Sequence, residues 1–124
     1  MRPSSSDSEG ERTRREVLGD EHVDRAQAGT TAFTAPFQDL ITRYAWGEVW
    51  NRPNLDRRQR SMITLAALTA LRAEGELEIH VRAALRNGLT EEEIAEVLLH
   101  TAVYAGLPAG NAAFAIARRV LEER

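Results

Sequence analysis

Between Ser61 and Leu71 the chain reads SMITLAALTAL, which is apolar on nearly every side once wound into a helix. Such a segment predicts a helix at the centre of a core, wrapped by other helices. Asp56 with Gln59 three residues on is a capping-box signature that marks where it starts. Upstream, Thr34 can cap a helix with Pro36 in its first turn, and Phe37, Leu40, Ile41 and Tyr44 then fall on one face, expected to be buried. Downstream, Glu76 to Asn87 reads as a helix closed by Gly88, where a left-handed residue is wanted. Thr90 with Glu93 is a second capping box, opening a helix with Ile94, Val97, Leu98, Thr101, Ala102 and Ala105 in one stripe. Gly106 and Pro108 end it, and Asn111 to Leu121 form a last helix. No period-two pattern occurs, so the sequence predicts an all-α fold, a compact helical bundle of about six helices.

The outlying segments are less strongly patterned. Residues 1–10 (MRPSSSDSEG) are polar and small, and read as a flexible polar tail; 11–124 reads as a single domain. Glu11 to Ala28 holds only Val17, Leu18 and Val23 in a weak helical pattern, broken at Gly19 and Asp20, which suits an arm packing on a neighbour. Trp46 to Leu55 carries Gly47, Asn51, Pro53 and Asn54, and is expected to bend between two helices. Several helices are apolar beyond one face, which points to burial against another subunit.

Composition narrows the chemistry. The net charge of −3 arises from 16 basic and 19 acidic residues scattered along the chain, without the basic stripe that nucleic acid requires. Apolar runs are broken well short of the ~20 residues that span a bilayer, and no basic-then-apolar segment opens the chain. No membrane association and a cytoplasmic location are therefore expected. There is no cysteine, which removes disulfides, thiolate nucleophiles and Cys-ligated zinc; no metal site is expected either.

The remaining acid–base groups are few. Of the three histidines, His22 sits beside Glu21 and Asp24 in the weak arm and reads as solvated. His80 shares a helical face with Leu77, Ala84 and Ala73, so it is at least partly buried. Position alone leaves two readings open: a core histidine bonded to a backbone carbonyl, or an acid–base group. Glu48 lies between Trp46 and Trp50, either against aromatic walls that favour its neutral acid or as a partner of Arg60 or a helix end. His100 falls at the edge of the stripe made by Val97 and Thr101. Arg57, Arg58 and Arg60 cluster at the start of the central helix, where charge is commonly a solvated face, and Arg82 lies roughly opposite His80 on its helix.

Taken as a string, REVLGDEHVDRA, FQDLITRYAWGEVWNRP, LDRRQRSMITLAAL and HVRAALRNGLTEEEIAEVLLHTAVYAGLPAGNAAF strongly resemble the 4-carboxymuconolactone decarboxylase family. The wider superfamily includes the alkylhydroperoxidase D proteins, so the resemblance implies an alkylhydroperoxidase D-like fold. Their redox branch carries a Cys-x-x-Cys pair about where Ala73 and Glu76 stand here, and a chain without thiols cannot reduce peroxide that way. The resemblance implies instead that γ-carboxymuconolactone loses CO2 to give β-ketoadipate enol-lactone, in the protocatechuate branch of the β-ketoadipate pathway. No cofactor is implied, because the conjugated lactone carbonyl accepts the electrons left behind.

The protein then has to hold a small-molecule lactone dicarboxylate, stabilise charge on the lactone oxygen and deliver a proton to carbon. On this resemblance His80 donates the proton or polarises the carbonyl, and Glu48 orients His80 or holds the proton itself. Arg60 is the first choice for a substrate carboxylate, with Arg82 and His100 behind it. The family also implies a homo-oligomer, a trimer or a hexamer built from trimers. Two alternatives remain: a related decarboxylase acting on another lactone or acid, and a non-catalytic helical oligomer in which His80 is buried and remote from any cavity.

Overall fold

A computed structural model of the chain describes residues 5–124; positions 1–4 of the expected tail lie outside the described residues. Every regular element among these residues is helical: α1 (Ser5–Leu18), α2 (Asp20–Ala28), α3 (Ala35–Ile41) running into a π-helical segment (Thr42–Val49), α4 (Arg57–Ala70), α5 (Glu74–Arg86), α6 (Glu91–Ala105) and α7 (Leu107–Glu122). The all-α expectation holds. The chain divides into two compact units, Met1–Leu55 and Asp56–Arg124.

In the first unit α1 lies along the π-helical segment. The two backbones come so close that a Cβ on Gly10 would stand 2.1 Å from the carbonyl oxygen of Thr42. That contact explains why α1 reaches back to Ser5, into the stretch whose composition suggests a tail: its polar first turn continues a helix anchored further along by packing. The hydroxyl of Thr13 donates to Asn51 Oδ1 (2.7 Å), and Arg14 Nη1 donates to Gln38 Oε1 (3.1 Å). Arg15 binds Asp20 (3.0 Å) and Asp24 (2.9 Å), tying α2 to α1. Val17 and Val23 are fully buried within the chain itself. Gly10→Ala is expected to cost about 1–3 kcal/mol through overpacking, read as a lowered denaturation midpoint; an unchanged midpoint would mean that the approach is looser than described.

The face expected to be buried on α3 is instead open, with Phe37 61% and Tyr44 60% exposed. The helix widens after Ile41, and Trp50 N–H reaches back five residues to the carbonyl of Ala45 (2.9 Å). The wider turn breaks the three-and-four spacing, so Trp46 rather than Tyr44 becomes buried. It also carries the helix through Val49, so the bend expected from Trp46 begins only at Trp50.

In the second unit α4 packs against α5, α6 and α7, the central place expected of it. Leu65 meets Leu77, Val81, Ile94, Leu98 and Ile116 in one buried cluster. Only one face of α4 is enclosed, however: Ser61, Leu65 and Thr69 are buried, whereas Ile63 and, just beyond the helix, Leu71 stay exposed. Both capping boxes form. Gln59 N–H donates to Asp56 Oδ1 (2.8 Å) and Glu93 N–H to Thr90 Oγ1 (3.1 Å), each with the reciprocal side-chain bond. Gly88 takes a φ of 99°, the left-handed turn required after α5. α7 starts at Leu107 rather than Asn111, since Pro108 fits the first turn of a helix as readily as it ends one. Among the described residues no helix is long and apolar enough to cross a membrane.

Candidate active site

The short connection between α4 and α5 makes them antiparallel neighbours, and polar contacts fix their register. Asn87 Nδ2 donates to the hydroxyl of Ser61 (3.0 Å), and Arg58 Nη1 donates to the carbonyl of Gly88. His80, Ala84 and Asn87 share one stripe of α5 at helical spacing, so the stripe that meets α4 through Asn87 also carries His80. Counting two turns back from Asn87 and two turns on from Ser61 sets His80 level with Leu68. Arg60 lies about 12 Å further along the axis at about 1.5 Å per residue, on the neighbouring stripe of α4 with Thr64 and Ala67, about a quarter turn from Leu68.

His80 is half-buried, on the face it shares with the buried Leu77 and Ala84. Its Nδ1 is shielded from solvent. Arg60 is likewise half-buried, with Nε enclosed.

Arg82 and His100 lie elsewhere in the second unit. Arg82, two positions from His80, is on the far side of α5, where Nη2 donates to Glu123 (2.6 Å) and Glu78 (3.4 Å). The bond to Glu123, foremost, holds its pKa above the ordinary value. His100 opens onto a groove of about 480 Å³ between α4 and α6, lined also by Ile63, Ala66, Ala70, Thr101 and Tyr104. Its ring lies 5.3 Å from that of Tyr104, tilted by 40°. Ile63, Ala66 and Ala70 turn away from the α4 stripe that meets α5, whereas Ala67, which also lines the groove, shares a stripe with Arg60. Glu48 lies in the first unit and is exposed; the rings of Trp46 and Trp50 meet each other at 5.1 Å and do not wall it in.

Arg58, grouped by sequence with Arg57 and Arg60 as surface charge, is a clamp. Besides binding Gly88, its Nη2 pairs with the carboxylate of Glu93 at the start of α6. Glu93 already serves the capping box, and the pairing with Arg58, foremost, holds its carboxyl below the ordinary range. Its contribution to stability is thus in place above the ordinary carboxylate range and is lost as pH falls through the lowered folded value. Among the described residues, no group of three or more His, Cys, Asp or Glu side chains is gathered as metal ligands.

Comparison with known proteins adds to this geometry. Residues 35–119 match the model of the carboxymuconolactone decarboxylase family. Over 115 residues the chain is 48% identical to 4-carboxymuconolactone decarboxylase of Acinetobacter baylyi, covering 93% of this chain and 86% of that protein. It is 46% identical over 115 residues to nitrosuccinic acid decarboxylase of Metarhizium robertsii, covering 93% of this chain and 80% of that protein.

Proposed function

Because the chain belongs to the carboxymuconolactone decarboxylase family, we propose that it is a carboxy-lyase converting γ-carboxymuconolactone to β-ketoadipate enol-lactone in the β-ketoadipate pathway. The observation that carries this is the 48% identity to a decarboxylase of that name across 93% of the chain. The family match also runs across the boundary between the two compact units, which supports 11–124 acting as one functional domain.

The chemistry asks for little beyond positioning. As the bond from the ring carbon to the carboxylate breaks, CO2 leaves and its electron pair moves through the ring double bond onto the lactone oxygen. A proton then adds to the carbon next to that carbonyl. The substrate is its own electron sink, so the proposal includes no cofactor. His80 presents the imidazole edge that delivers the proton or bonds to the developing oxyanion. Arg60 holds a substrate carboxylate, as a planar guanidinium does bidentately. Glu48 is proposed as a second acid–base group; Arg82 and His100, which do not share the stripe of His80, are secondary candidates for a carboxylate, Arg82 across a subunit boundary. Removing the Glu48 charge at constant shape with Glu48→Gln should lower kcat about 100-fold at an unchanged melting temperature; a full rate with lost stability would make Glu48 structural.

A homo-oligomer, trimer or hexamer, belongs to the same proposal. Val103 (74%) and Tyr104 (81%) on α6, and separately Phe37 and Tyr44 in the first unit, are large side chains left exposed, which supports burial against another subunit.

The similar identity to a nitrosuccinic acid decarboxylase favours a second reading, in which the lost carboxylate sits beside a nitro group that plays the same electron-sink role. The two are separated by measuring kcat/KM for γ-carboxymuconolactone and for nitrosuccinate on the same preparation. A preference for the lactone of at least about 100-fold, the scale of a few well-placed contacts, is expected; a preference for nitrosuccinate would exchange the two readings.

A further inference from the structure

We propose that Ser61 and Asn87 are a positioning pair, whose hydrogen bond sets the axial register of α5 on α4 and with it the spacing between His80 and Arg60. The proposal rests on the function argued above, in which those two residues face the substrate. Ser61 is 1% exposed, on the same inward face of α4 as Leu65. The hydroxyls of Thr42, Thr64 and Thr101 each donate to a carbonyl one turn back in their own helix (2.8, 2.8 and 2.7 Å) and carry no information about a neighbouring helix. Ser61 Oγ accepts from another helix, at 3.0 Å.

A neutral polar pair in apolar surroundings adds little net stability, but it discriminates sharply between alignments. Leucine against alanine tolerates sliding by a fraction of a turn, whereas a hydrogen bond does not. Slippage of α5 by one residue carries His80 about 1.5 Å along the axis while leaving Arg60 in place. A misplacement on the scale of 1 Å in a catalytic group can cost about 100-fold in rate. The Arg58 clamp holds the end of α5 to α4 through Gly88, so the register is gripped at two successive positions, Asn87 and Gly88.

The test uses the full-length protein in its native assembly, with Ser61→Ala, the apolar double variant Ser61→Ala/Asn87→Leu, and Ser61→Thr, which keeps a hydroxyl. Folding is followed by circular dichroism and thermal melting. Ser61→Ala is expected to lower kcat by at least about 10-fold with KM within about threefold, because Arg60 still binds the carboxylate while His80 is misaligned. The apolar double variant should show the same split at a melting temperature no lower than that of Ser61→Ala, and Ser61→Thr should recover most of the rate. In the substrate-free protein, the ring 15N shifts of His80 should move in Ser61→Ala and return towards their starting values in Ser61→Thr. Unmoved ring shifts, or an unchanged kcat, in folded Ser61→Ala overturn the proposal. If the unaltered protein does not turn over γ-carboxymuconolactone, the function fails instead, and the ring shifts still decide the pair.

Discussion

His80→Asn lowers kcat by at least about 100-fold, the usual scale for a positioned acid–base group, and leaves the helical circular dichroism unchanged. The size of the effect follows from the placement of the ring. Its inner nitrogen is enclosed, and in the proposed mechanism the other ring nitrogen is the one that reaches the substrate. Asparagine puts an amide near the position of Nδ1 and keeps polar capacity at the buried end, so the loss falls on chemistry more than on folding. His80→Ala removes the ring and should lower both rate and melting temperature. Near-normal turnover in a folded His80→Asn protein would remove His80 from the mechanism and favour the core-histidine reading.

Leu65→Ala destabilises the protein by about 2–5 kcal/mol, the range for deleting a leucine side chain from a closed core. Leu65 is fully buried on α4, the helix that touches all three others of its unit, and shares its cluster with Leu77, Ile94, Leu98 and Ile116. The cavity would open where α4, α5, α6 and α7 converge, so no single side chain can collapse to fill it. Chemical denaturation should show the loss as a lower midpoint, while the exposed Glu96→Ala control stays within about 0.5 kcal/mol. A Leu65→Ala variant as stable as that control would mean that α4 is not the centre of its unit.

What could be read from the sequence was local. The two capping boxes, the left-handed Gly88 and the inward face shared by Leu77, His80 and Ala84 each depend on residues within about two helical turns, and each is found. What escaped depends on distant partners. Arg58 pairs with Glu93 across 35 positions and Arg82 with Glu123 across 41, so neither the clamp nor the engagement of Arg82 leaves a local signature. The start of α1 at Ser5 depends on Gly10 meeting Thr42. The π-helical segment changes the rotational phase between Tyr44 and Trp46, which a fixed 3.6-residue period cannot anticipate. For the site, sequence identified residue types, whereas the alignment of α5 on α4 at Ser61 and Asn87, which sets His80 level with Leu68, joins positions 26 apart and leaves no local signature.

The central claim is tested most directly by incubating the purified, metal-chelated protein with γ-carboxymuconolactone, with no cofactor added, and following CO2 and enol-lactone together. One CO2 is expected for each enol-lactone formed, at a rate far above the spontaneous one and strongly reduced in His80→Asn. No turnover by the folded protein would contradict it.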